Sequence, residues 1–172
     1  IAGEVAIERA LEGLRVYNLM GEEHFSGGLE SARPGQPMLV HRLDRLDGFY
    51  HIVPFVDRTG STSLVVSVDA RTGLYLQSAA RVGAQGSVIT LIDRKAASER
   101  VIGQAVELPD RLGRVLVRPE AVCQYPILVW KPCRESLSPF FPFYLFTVGG
   151  LTIYVRGDGA IFTQLHDTYQ GI

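Results

Sequence analysis

Residues 125–162 read YPILVWKPCRESLSPFFPFYLFTVGGLTIYVRGDGAIF and hold the only Trp, the strongest hairpin signals and most of the aromatics. Ile127, Leu128 and Val129 form a β-compatible run. The aromatic run 140–146 forms a second, Gly149-Gly150 supplies turn chemistry, and 151–155 forms a third whose apolar Leu151, Ile153 and Val155 alternate with polar neighbours. Both alternate sets of the aromatic run, Phe141/Phe143/Leu145 and Phe140/Tyr144/Phe146, are bulky and apolar, so both faces of that strand require cover.

This layout has an echo in residues 36–75, QPMLVHRLDRLDGFYHIVPFVDRTGSTSLVVSVDARTGLY. Pro37-Met-Leu-Val matches Pro126-Ile-Leu-Val, 49–56 matches the aromatic run, Gly60 stands where Gly149-Gly150 stands, and 64–68 matches 151–155. Asp69 to Gly73 closes the first series as Arg156-Gly157-Asp158-Gly159 closes the second. In DRTGST, Gly60 is available for positive φ. Asp69 with Gly73 is explained by turn mechanics alone.

Ile7, Ala10, Leu11 and Leu14 recur at helical spacing, with Glu8, Arg9 and Glu12 opposite, which predicts an amphipathic helix over 4–17. Residues 20–36 dissolve into Gly, Ser, Glu and Pro and read as an exposed loop. Residues 79–87 are small and Gly-rich and read as a joint. Asp93 is an N-cap for a second helix over 94–106, with Ala97, Val101 and Ala105 on one face and Pro109 ending it. Residues 115–117 read as a short edge strand.

The expected fold is therefore α+β, a tandem pseudo-repeat. Each half is a helix packed on a three- to four-stranded antiparallel sheet, over residues 1–86 and 87–172, or the two are fused into one compact domain.

The order of helix, strand and strand, then a strand ending in Val68-Asp69-Ala70-Arg71-Thr72-Gly73, resembles a PepSY-type module and, more broadly, a cystatin-like helix wrapped by an antiparallel sheet. That resemblance implies a non-enzymatic unit, extracytoplasmic and linked to the restraint of peptidases. The second half departs from the motif with Val155-Arg156-Gly157-Asp158-Gly159. The nearest match to the Q-x-V-x-G hairpin of true cystatins, Gln104-Ala105-Val106-Glu107-Leu108, lacks the Gly and falls in a predicted helix.

Composition bounds function. The chain has 172 residues, 47% hydrophobic and 20% charged, enough to bury a core. Its 17 basic and 18 acidic side chains give a net charge of -1, which offers nucleic acid or an anionic membrane no long-range attraction. Pro and Gly interrupt every apolar run before it could span a bilayer. The first residue is Ile1, so an upstream segment, a secretory signal included, stays open, as does the compartment.

No nucleotide-binding or nucleophile-elbow motif occurs, and no cofactor is expected. Cys133 lies between Lys131 and Arg134, whose charge favours a thiolate, and is the candidate nucleophile; none of His24, His41, His51 and His166 can be placed beside it from sequence. Cys123 and Cys133 could pair. His41 and His51 could face each other across a hairpin and bind a metal, although two ligands are too few.

The expected function is a non-catalytic binding or regulatory protein with a protein or peptide partner, no nucleic acid and no membrane span. Its binding surface would comprise Trp130, Phe141, Phe143 and Tyr144, which could also join a homodimer. The alternatives are a small cysteine-dependent hydrolase or transferase using Cys133, or a structural subunit of a larger assembly.

Overall fold

The structure, a computed structural model, describes residues 1–30, 32–82, 86–107, 113–122 and 125–168. It is α+β, and the chain groups into two compact units, Ile1–His41 with Asp47–Thr90, and Arg42–Leu46 with Leu91–Ile172.

The first unit opens with α1 (Gly3–Val16), close to the expected helix; Ala6, Ala10, Gly13 and Leu14 form its buried stripe. Residues 20–36, expected as loop, instead contain a 3-10 turn (Leu19–Gly21), α2 (Glu23–Glu30) and a short strand β1 (Arg33–Pro34). Two glycines in EHFSGGLE hid α2, because local propensity opposes a helix there. Packing overrides propensity, since Phe25 and Leu29, four residues apart, lie against the core of this unit, and the Ser63 hydroxyl donates to the Gly28 carbonyl at 2.7 Å.

The strands follow: β2 (Met38–Arg42), β3 (Phe49–Val56), β4 (Thr62–Asp69) and β5 (Tyr75–Ala80). They form an antiparallel meander, and β1 adds to β3 through Arg33↔Val56 and Pro34↔Phe55. Val53, Phe55, Leu64, Val66 and Val68 meet the α1 stripe to make the core. The opposite sides of β3 and β4 are also buried, at Tyr50, Ile52 and Val65.

The second unit holds α3 (Arg94–Val101), capped as expected by Asp93, whose carboxylate accepts from the Ala96 amide at 2.7 Å. The helix is shorter than its periodicity predicts. Gly103, at φ +77°, turns the chain, and 105–107 become β6 (Ala105–Glu107), paired with β7 (Arg114–Leu116). Ala97 and Val101 are buried on the helix face, while Ala105 is exposed on a strand; Pro109, expected to end the helix, lies outside the described residues. The Gln104-Ala105-Val106-Glu107 segment is therefore strand rather than helix, with Leu108 outside the described residues.

After a 3-10 turn (Pro119–Ala121) come β8 (Ile127–Trp130), β9 (Phe143–Val148), β10 (Leu151–Arg156) and β11 (Ile161–Phe162), a second antiparallel meander. Gly149 and Gly150 make the two-residue turn between Val148 and Leu151. The aromatic strand begins only at Phe143. Phe140 and Phe141 sit in a turn in which the Phe141 amide donates to the Ser138 carbonyl at 2.9 Å, because Pro139 and Pro142 withhold ladder donors. Tyr144, Phe146, Val148, Ile153 and Val155 pack on Ala97 and Val101 of α3. Among the described residues no helix is long and apolar enough to cross a membrane.

Candidate functional site

The loop between β8 and β9 carries the chemistry the sequence singled out. Ser136 closes it, its hydroxyl accepting from the Cys133 amide at 3.1 Å and donating to the Cys133 carbonyl at 2.8 Å. Arg156 anchors it from β10, gripping Asp158 with two bonds of 2.9 and 2.8 Å and the Glu135 carbonyl with its remaining nitrogen. The Arg156 hydrogen bond holds the Asp158 carboxyl below its ordinary range.

Folding brings His166 to this loop, which no spacing in the sequence signals. The His166 carbonyl accepts from the Arg134 amide at 2.9 Å, and its own amide donates to Glu135 Oε2 at 2.8 Å. The His166 ring places Nδ1 2.7 Å from Glu135 Oε1. Burial raises the Glu135 carboxyl, and the His166 hydrogen bonds more than offset that, leaving it below its ordinary 4.5. Lys131 bonds Asp167 at 2.7 Å, and this hydrogen bond raises the ammonium pKa. Beside them lies a cleft of about 490 Å³ lined by Arg134, Gln164, Leu165, His166, Asp167 and Thr168.

Cys133 is a free thiol, 4% exposed, and no histidine among the described residues hydrogen-bonds it. Cys133 thus lies on the loop that Glu135 ties to His166, without a hydrogen bond to that ring. Cys123 lies outside the described residues.

The histidine pair does not assemble. His41 stands opposite Phe49 and stacks on its ring at 4.5 Å, while His51 stands opposite Leu39. His51 is buried, its Nε2 is 3.1 Å from the Ile1 carbonyl, and its Nδ1 has no hydrogen-bond partner among the described residues. Among the described residues no group of three or more His, Cys, Asp or Glu side chains is placed to hold a metal.

Three of the four residues read as a binding surface are packed instead. Phe143 is fully buried, edge-on to Tyr154 at 6.1 Å and to Phe162 at 6.0 Å. Tyr144 is core and donates its hydroxyl to the Ile92 carbonyl at 2.8 Å, with burial raising its phenol pKa. Trp130 is buried beneath the Arg42 guanidinium, 4.9 Å from its ring, and Phe141 is half-buried. Alternation correctly shows that both faces of β9 need cover; what supplies it is not readable from one strand.

The first unit exposes apolar side chains around β5 and the end of α1. Leu74 is 66% exposed, Leu76 50% and Val82 77%, at the start, on and just past β5, while Val16 and Tyr17 are 72% and 60% exposed where α1 ends. The Tyr17 and Tyr75 rings lie 4.9 Å apart and join helix end to strand start. β5 is the last strand in the sheet order, so one of its edges carries no neighbouring strand among the described residues. From Leu74 to Ala80 it bears neither charge nor proline, the devices that usually blunt an edge. Apolar Leu74 and Leu76 are visible in the sequence, yet that β5 ends the sheet is not. Comparison with protein families, with curated proteins and with solved structures gives no match to this chain.

Proposed function

We propose that this chain is a non-catalytic binding or regulatory protein that takes an extended peptide or protein segment by strand addition along β5. One observation carries the reading: an uncharged, proline-free sheet edge with exposed leucines beside it. Main-chain bonds along such an edge give affinity, and apolar side chains flanking it give selectivity. The two units are read as tandem pseudo-repeats, PepSY-like or cystatin-like, and a role in restraining a protease belongs to that reading. Support comes from their shared order, a helix packed on an antiparallel four-strand meander, β2 to β5 in one and β8 to β11 in the other.

The test is selection of a random peptide library on the wild-type chain and on Ser78→Pro. The selected peptides should bind the wild type at least about tenfold more tightly than the variant, a difference of roughly 1.4 kcal/mol. Equal binding to both chains would remove the β5 edge from the reading.

The alternative, a cysteine-dependent hydrolase or transferase, is favoured by one feature, the pairing of Glu135, on the loop that carries Cys133, with His166 from the segment after β11. Glu135 orients the ring as an acid orients a catalytic base. A buried thiol with no hydrogen bond to that ring weighs against it.

A further inference from the structure

Glu135 fixes how the His166 ring is presented. Both of its oxygens engage that one residue, Oε1 with the ring Nδ1 at 2.7 Å and Oε2 with the His166 amide at 2.8 Å. An ionised carboxylate only accepts, so Nδ1 carries the proton and Nε2 of the neutral ring is a lone pair. Among the described residues Nε2 has no hydrogen-bond partner. The Arg134 amide donates to the His166 carbonyl at 2.9 Å, and Lys131 holds Asp167 at 2.7 Å. The segment after β11 is thus laced to the loop, and the ring is positioned before anything binds.

The cleft of about 490 Å³ beside this ring is polar, with Leu165 as the apolar residue among Arg134, Gln164, His166, Asp167 and Thr168. Asp167 is matched by Lys131. Glu135 does not line the cleft, and the ring matches it once protonated. The Arg134 guanidinium has neither a carboxylate nor a hydrogen-bond partner among the described residues. With the ring protonated, it is therefore one uncompensated cation at the cleft.

A guanidinium fork with an imidazole in the same cleft suits a phosphate group. Phosphate gives two oxygens to the fork and keeps a third for the ring, whereas a carboxylate uses both of its oxygens on the fork. A lone pair at Nε2 repels an anionic oxygen, so the complex must hold one proton between them. Glu135 on the other ring nitrogen favours the ring as its holder. The Gln164 amide and the Thr168 hydroxyl add neutral donors.

We propose that this cleft binds the phosphate group of a small phosphorylated molecule, with Arg134 gripping two oxygens and His166 Nε2 a third through a shared proton. It is independent of strand addition along β5, which belongs to the other unit.

Titration calorimetry of the full chain with inorganic phosphate, phenyl phosphate and acetate tests it. Both phosphates should bind, and acetate at least about tenfold more weakly. Arg134→Met and His166→Asn should each weaken phosphate binding at least about tenfold, while Arg33→Met, at an exposed arginine of the first unit, should change nothing. Sulfate is tetrahedral and does not titrate near neutrality, so its binding isolates the ring. Its affinity should fall as pH rises through the imidazole range, and His166→Asn should remove that dependence. Absence of phosphate binding, or binding indifferent to Arg134→Met, would overturn the proposal, and the second outcome decides the matter if His166→Asn fails to fold. Acetate binding as tightly as phosphate would overturn the phosphate assignment in favour of a carboxylate. Inorganic phosphate binding without phenyl phosphate would overturn an esterified ligand, and a sulfate affinity indifferent to pH would overturn the shared proton.

Discussion

At Gly13 a missing side chain sets how closely α1 approaches β5. A Cβ built there would stand 2.6 Å from the Cβ and Cδ2 of Tyr75, atoms near the root of that side chain that cannot swing away. Tyr75 is further held by its hydroxyl contact with Ser78 at 2.7 Å and by the Tyr17 ring. Alanine is about 1 kcal/mol the better helix former, while overpacking costs roughly 1–3 kcal/mol, so the clash should win. Gly13→Ala is expected to lower stability by about 1 kcal/mol in urea unfolding; a more stable variant would show that α1 can shift outward without cost. The helical stripe through Ile7, Ala10, Leu11 and Leu14 was legible in the sequence, but the need for glycine was not, because its cause lies on a strand far along the chain.

Among elements, the turns were the most legible, because their chemistry is local. Between β3 and β4, Asp57 Oδ1 accepts from the Thr59 amide at 2.8 Å, the Thr59 hydroxyl at 2.6 Å and the Ser61 amide at 3.1 Å. The Thr59 hydrogen bond first, and the Arg81 pair second, hold the Asp57 carboxyl well below its ordinary 3.8. A depressed folded value means stabilisation fully present above 3.8 and lost as pH falls below it. Asp57→Asn should therefore melt lower than the wild type at neutral pH, with the gap constant above pH 3.8 and closing below it in thermal melts. A gap that ignores pH would show that the carboxylate charge contributes nothing. Helix bounds were less legible: α2 exists against its propensity because Phe25 and Leu29 find the core, and α3 stops at Val101 although apolar periodicity runs on to Ala105.

At the scale of the molecule, burial separates residues that look reactive from residues that can react. Cys133 has basic neighbours in sequence, yet its thiol is enclosed in the second unit. In a Cys123→Ser background, a neutral thiol reagent should modify Cys133 at least about a hundredfold more slowly than a free thiol, with the rate rising alongside unfolding in denaturant. Labelling as fast as a free thiol would return the hydrolase reading to first place. The same logic moved the candidate binding surface from Trp130, Phe143 and Tyr144 to the β5 edge: apolar density in sequence marks what must be covered, and only packing shows what was left uncovered.

The α+β class, the first helix, the strand runs and the turn residues follow from the sequence by itself, since they rest on periodicity and on bonds spanning a few residues. Tertiary structure alone decided which strand ends the sheet, that His166 meets Glu135 across 31 positions and that the aromatic strand is core. Those outcomes depend on contacts between residues distant in the chain, and a chain read residue by residue does not encode its own long-range neighbours in any local pattern.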